Sequence, residues 1–183
     1  RFPAAEKVGW LKVLDIGIPI ELAQDIPLEM LTPSWVRAKL LQRPMDSHKG
    51  SYGHALVIGG SVNYPGAAYL ATQGALCSGP GLVTLATPQS IHPVLASKLT
   101  EAIHFPIPDG GLGSLTPEGV TSIKEALSQY NSLAIGCGIG HSHIVRGFVK
   151  DLLLSDPQPT QPMVVDADGL NIFSTIERWW NRL

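Results

Sequence analysis

The chain has 183 residues with 13 basic and 15 acidic side chains, a net charge of -2, and 44% apolar but only 15% charged residues. That length suits one domain or one domain plus part of another, and so little charge beside a normal apolar share excludes a disordered polyelectrolyte. With no surplus of Lys and Arg to neutralise phosphates, nucleic acid and membrane surfaces are not expected partners. No apolar run nears the roughly 18 residues of a membrane span, and no signal-peptide pattern opens the chain. Cys77 and Cys137 form no CxxC spacing, so neither a zinc site nor a disulfide framework is indicated and a reducing, cytoplasmic setting is expected.

In chain order, residues 11–18 alternate Leu11, Val13 and Asp15 against Lys12, Leu14 and Ile16 and predict a short strand. Pro19, Glu21, Asp25, Pro27 and Glu29 then suit an exposed connector. Thr32-Pro33, Thr87-Pro88 and Thr116-Pro117 each predict a helix start, because Thr can cap the free backbone donors and Pro tolerates the first helical position. Tyr64-Pro65 opens a further helix that stops at Gly79-Pro80-Gly81. A fifth helix, from Ser142 to Leu154, carries Ile144, Val145, Phe148, Val149 and Leu152 on one stripe. Between the helices lie five short apolar runs, at 54–60, 82–87, 102–107, 132–138 and 162–168. Alternation of such strands with helices predicts a doubly wound α/β layer from about Ser47, a mostly parallel sheet with helices on both faces.

Three strands run into unusual loops: Gly59-Gly60-Ser61, Gly136-Cys137-Gly138-Ile139-Gly140 and Asp166-Ala167-Asp168-Gly169. In a parallel sheet all three leave the same edge, where open α/β folds bind ligands. Each alone is also explained as a turn that needs glycine. The GxGxG loop lacks the GxGxxG dinucleotide fingerprint, and the chain contains neither a P-loop nor a GxSxG elbow. Asp168 could cap the helix that follows or bind a ligand or metal, and Asp166 shares the second possibility. Of the six histidines, His48, His54, His92, His104, His141 and His143, the close pair His141 and His143 has no carboxylate or cysteine beside it at ligand spacing and is explained by a solvated helix start, so no metal site is expected on them.

The run from His48 to Ser61 (HKGSYGHALVIGGS), Tyr64-Pro65-Gly66-Ala67-Ala68, Ser78-Gly79-Pro80-Gly81-Leu82-Val83, the GxGxG loop and Val165-Asp166-Ala167-Asp168-Gly169-Leu170-Asn171 closely resemble the NAD(P)H-hydrate dehydratase family. The resemblance implies a ribokinase-like fold and repair of hydrated NADH or NADPH, the S-epimer being dehydrated at the expense of ADP, or of ATP, with Mg2+. It places substrate binding at Ala67 and Gly138, and by extension at Gly136, Gly140, Asp166, Asp168 and Asn171, with Lys49, Gly50 and Tyr52 as further lining residues. Where the family's loop usually reads GPGLG, Cys137 and Ile139 stand here.

Residues 8–19 resemble the last strand of the hydrate epimerase domain of bifunctional repair enzymes. The expected organisation is therefore an epimerase tail at 1–19, a linker and first helix at 20–46, and the start of the dehydratase domain at 47–183. The family's Pro-His-Pro-Gly-Glu segment, its Lys-Gly nucleotide stretch and its Gly-Thr-Gly-Asp motif, which supplies the base, do not occur in these residues. No catalytic residue is therefore expected within the chain, which reads as a piece of a longer, homo-oligomeric protein holding a partial domain. A ribokinase-like kinase for a small molecule such as a vitamin precursor, and an inactive nucleotide-binding remnant, are the alternatives; the YPGAA and DADGLN segments favour the dehydratase.

Overall fold

The computed structural model describes residues 7, 9, 12, 14–23, 31–40 and 43–182. Contacts divide the chain into two units, 1–44 and 45–183. In the first, a 3-10 turn spans Ile20–Ala23 and helix α1 spans Pro33–Lys39, with the Thr32 hydroxyl accepting from the Trp35 amide at 3.2 Å as the Thr-Pro pair predicts. The strand expected over 11–18 is not found among the described residues, of which Lys12 and 14–18 lack regular structure. Gly17 adopts φ +75° and donates its amide to Asp15 Oδ1 at 2.8 Å. That local turn breaks the extended path, and a strand without a ladder partner gains nothing to offset the loss. Leu11 and Val13 lie outside the described residues.

The second unit contains five strands: β1 His54–Ile58, β2 Leu82–Pro88, β3 Ile103–Ile107, β4 Ser132–Ile135 and β5 Met163–Val165. They form one sheet in the order β3-β2-β1-β4-β5, and all four pairings are parallel. Five further helices connect or follow them: α2 Pro65–Ser78, α3 His92–Ala96, α4 Val120–Ala126, α5 His143–Leu153 and α6 Asp168–Phe173. One face of the sheet presents Leu56, Ile58, Leu133 and Ile135 to a core shared with Ile123 of α4, Phe148 and Leu152 of α5 and Phe173 of α6. The other presents Val57, Val83 and Leu85 to Ala68 of α2 and Leu95 of α3. Because successive side chains of β1 enter opposite cores, its sequence is a continuous apolar run rather than an alternation.

The helix starts divide by mechanism. Pro65 opens α2 and Gly79, at φ +96°, ends it. Ser142 caps α5, its Oγ accepting from the Val145 amide at 3.3 Å. Of the stripe expected on that helix, Val145, Phe148, Val149 and Leu152 are buried, whereas Ile144 is exposed. Thr87 is not a cap: it lies within β2, and its buried hydroxyl has no hydrogen-bond partner. Thr116 does precede a helical turn, but its hydroxyl donates to the Pro108 carbonyl at 3.4 Å. At Thr87 sheet pairing took the residue that local pattern assigned to a helix, whereas at Thr116-Pro117 the helical turn begins as expected but without the side-chain cap.

At the amino end of β1, His54 Nε2 lies 2.7 Å from Thr84 Oγ1, and the ring meets Tyr130 edge-on at 4.7 Å. Burial pushes the imidazole below the usual histidine range, against a smaller opposing effect of a backbone hydrogen bond at Gln129. A lowered histidine value means that the folded chain holds fewer protons than the unfolded one, so this contribution is complete above the unfolded value and is lost as the pH falls toward the folded one. The melting temperature should therefore drop as the pH goes from about 7 to about 5, and His54→Gln should flatten that part of the profile. Parallel slopes for the two proteins would contradict it.

Candidate functional site

The sheet order reverses at β1. Chain connections run from β1 outward through β2 to β3, then return to β4 on the other side, which makes the gap between the carboxyl ends of β1 and β4 the topological switch point. The two loops leaving those strands are laced together. The Gly60 amide donates to the Cys137 carbonyl at 2.9 Å, the Gly136 amide to Ile58 O at 3.3 Å, and Ser61 Oγ to Gly138 O at 2.8 Å. Above them opens a cleft of about 380 Å³ lined by Ser61 to Tyr64, Leu112 to Ser114 and Ile139 to Ser142.

Two glycines make this geometry possible. Gly136, at φ +124°, sits where a Cβ would lie 2.0 Å from the Asp166 carbonyl, so only glycine lets the loop after β5 tuck against the loop after β4. Gly138, at φ +69°, sits where a Cβ would lie 2.6 Å from Ala67 Cβ and 2.8 Å from Tyr64 Cβ. Ala67 and Gly138, 71 positions apart, are thus packed against each other at the start of α2. Ile139 is fully buried in the core beneath and anchors the loop.

The loop after β5 adds the acidic side. The Asp166 amide continues the ladder to Ile135 O at 3.0 Å, and the Gly169 amide closes a turn onto the Asp166 carbonyl at 2.9 Å. Within that turn Ala167 has φ 47° and ψ -118°, a conformation that favours glycine and costs an alanine about 1 to 3 kcal/mol. Asp168 is the first residue of α6 and does not cap that helix. Its Oδ2 accepts from the Gly140 amide at 2.9 Å, and its Oδ1 accepts from Asn171 Nδ2 at 3.5 Å. Asp166 and Asn171 are exposed. Burial, then the carboxylates of Asp166 and Asp168, raise the Cys137 thiol above its usual range, which keeps it protonated and poorly nucleophilic at neutral pH.

Gly136, Gly138, Gly140, Ala67, Asp166, Asp168 and Asn171 therefore gather at one edge of the sheet. Lys49, Gly50 and Tyr52 do not. They form a 3-10 turn, Lys49–Tyr52, that precedes β1, so they lie at the amino edge of a parallel sheet, across it from the cleft. There the Tyr52 carbonyl accepts from the Gly81 amide at 3.3 Å as β2 begins. These three do not line the cleft. His141, expected to lack a carboxylate neighbour, has Asp168 Oδ1 4.0 Å from its Nδ1; the sequence separation of 27 hid the proximity.

The sequence reading also missed a third wall, the turn at 109–115, because Asp109-Gly110-Gly111 reads as ordinary loop punctuation. Tyr64, 56% exposed at the cleft, reads in the sequence only as a helix start and as part of the YPGAA segment, with no binding role. Among the described residues no group of three or more His, Cys, Asp or Glu could hold a metal ion, and no helix is long and apolar enough to cross a membrane.

This sheet order and switch-point cleft define a doubly wound α/β domain, and its structural neighbours are ribokinase-like. A ribokinase-like superfamily protein from Enterococcus faecalis superposes with a TM-score of 0.60 at 28% identity, over 73% of this chain and 43% of that one. An ADP/ATP-dependent NAD(P)H-hydrate dehydratase from Bacillus subtilis, co-crystallized with ATP and Mg2+, gives 0.59 at 32% identity, over 79% and 48%. The family model for NAD(P)H-hydrate dehydratase matches residues 55–179, and the chain belongs to that family. The bifunctional NAD(P)H-hydrate repair enzyme of Moorella thermoacetica is 39% identical over 178 residues, 96% of this chain but 33% of that protein. The chain thus spans about a third of that curated relative's length.

Proposed function

We propose that this chain carries the substrate-side wall of an enzyme that dehydrates hydrated NADH or NADPH, as the S-epimer, using ADP or ATP. The observation that carries the reading is the packing of Ala67 on Gly138, directly beside Tyr64, Ile139 and Gly140, which line the switch-point cleft. These are the two positions to which the family resemblance assigns the hydrate, brought together from separate loops. The Cβ-free main chain at Gly140, where nothing stands within 4 Å of a Cβ position, allows close approach of a ring or phosphate, and exposed Tyr64 offers an aromatic face at the rim. Asp168 is committed to the Gly140 amide, which orients the loop rather than leaving that carboxylate free for chemistry. The nucleotide supplies the phosphoryl group that makes the added hydroxyl a leaving group. No residue described here is assigned to the nucleotide or to Mg2+, and the family's base motif is absent from these 183 residues. An epimerase unit before residue 20, a homo-oligomer and the cytoplasmic setting drawn from the cysteines belong to the same reading.

The test is calorimetric titration of the full reading frame with enzymatically prepared hydrate. Ala67→Leu should weaken the hydrate about tenfold or more, since added methylenes in a fitted site discriminate on that scale. Because the Ala67 methyl already packs on Gly138, some fall in melting temperature from overpacking is expected beside it. Unchanged hydrate affinity would make Ala67 a structural contact only.

A further inference from the structure

Asp109 follows β3 and is 4% exposed, an unusual place for a carboxylate in a chain with so few charges. Its Oδ1 accepts from the Gly111 amide at 3.3 Å and its Oδ2 from the Gly113 amide at 2.8 Å. Ser90, after β2, adds to the stabilisation of its charge. Burial pushes the Asp109 carboxyl upward, but Ser90 and the hydrogen bonds from Gly111 and Gly113 outweigh it and hold the group below the usual carboxylate range. It is therefore a charged acceptor at neutral pH, and charge-assisted bonds of this kind are stronger than neutral ones.

What Asp109 holds is the third wall of the cleft. Gly113, fixed by the carboxylate, accepts through its carbonyl from the Val62 amide at 2.7 Å. Its φ is +66°, and a Cβ there would lie 2.6 Å from Val62 Cβ. Leu112, Gly113 and Ser114 then face Val62, Asn63 and Tyr64 across the opening. Buried Ile107 and Leu115 secure the two ends of the turn in the core, but Leu112 at its tip is exposed. Apolar packing thus fixes where the turn begins and ends, and the carboxylate fixes its path between. A buried charge costs desolvation that an apolar anchor would not; it supplies in return one well-defined geometry.

We propose that Asp109 is a positioning residue: by tying the 109–115 turn to the loop after β1 it sets the width of the cleft and so the grip on the hydrate. This rests on the functional reading above. It acts through Gly113 and Val62 and does not touch the reacting atoms.

The test uses the full reading frame with Asp109→Ala, Asp109→Asn and Gly113→Ala. Asn offers one acceptor where two amides need two and turns an N–H2 toward the second, so it should not rescue; Gly113→Ala breaks the same tie from the other side. Each variant should raise the hydrate KM by about tenfold or more, with kcat and the nucleotide KM within about twofold, as expected of a misplaced wall remote from the chemistry. Amide hydrogen exchange is measured in parallel and should accelerate at Val62, Gly111 and Gly113 but not in β1, β2 or β4. Unchanged exchange at those three amides, local acceleration with an unchanged hydrate KM, or loss of protection throughout the sheet in all three variants would overturn the inference. If the unaltered protein does not turn over the hydrate, the functional reading fails separately. The exchange pattern then decides the tie itself: local acceleration supports it and its absence overturns it.

Discussion

Gly138→Val is expected to abolish hydrate binding and to lower the melting temperature together. The residue has φ +69°, and its Cβ would lie 2.6 Å from Ala67 Cβ, 2.8 Å from Tyr64 Cβ and 2.9 Å from the Tyr64 carbonyl. None of these neighbours can rotate away: one is a methyl on the first turn of α2, one is attached to the helix boundary, and one is backbone. A β-branched side chain also disfavours the left-handed backbone region. The loop must therefore lift from α2, which breaks the bond from Ser61 Oγ to Gly138 O and displaces Gly140 from its contact with Asp168. A loss of about 2 to 3 kcal/mol, or roughly 5 to 10 °C in melting temperature, is expected for strain and overpacking of this kind. Differential scanning calorimetry and hydrate titration read the two effects. A variant with normal melting temperature and normal affinity would mean that the loop is only a turn and that the contact with Ala67 is incidental.

The strands were legible because a parallel sheet buried on both faces leaves a plain mark: Leu56, Val57 and Ile58 are all buried although they point to opposite cores. The glycine loop was legible as well, since Gly136 and Gly138 are required by contacts that no other residue allows. What could not be read was anything set by distant partners. Thr87 carries the local signature of a cap, but its place in β2 comes from pairing with β3. Residues 14–18 alternate like a strand, yet lack a partner strand among the described residues and turn at Gly17. Lys49, Gly50 and Tyr52 adjoin the Gly59-Gly60-Ser61 loop in sequence, but the length of β1 carries them to the other edge. Asp109 had no signal of its own, because only the fold shows that its carboxylate is buried against two amides.

The second large effect concerns turnover. Phosphoryl transfer depends on positioning and on stabilising charge at the transferred group. Within these residues the available carboxylates are poorly suited to act as the base: Asp168 accepts from the Gly140 amide, and Asp166 is exposed and does not line the cleft. The family's Gly-Thr-Gly-Asp motif, to which the resemblance assigns the base, does not occur here. The 183-residue chain by itself is therefore expected to show no measurable dehydration, although its cleft should retain hydrate contacts through Ala67 and Gly138.

The most direct measurement is recovery of NADH absorbance from enzymatically prepared hydrate, followed with ADP and separately with ATP, for the full reading frame and for the 183-residue chain. The full reading frame should restore the absorbance only when nucleotide is present, and the 183-residue chain should restore none. Recovery by the 183-residue chain at a comparable rate, or none by the full reading frame with either nucleotide, would contradict the assignment of this cleft to hydrate dehydration.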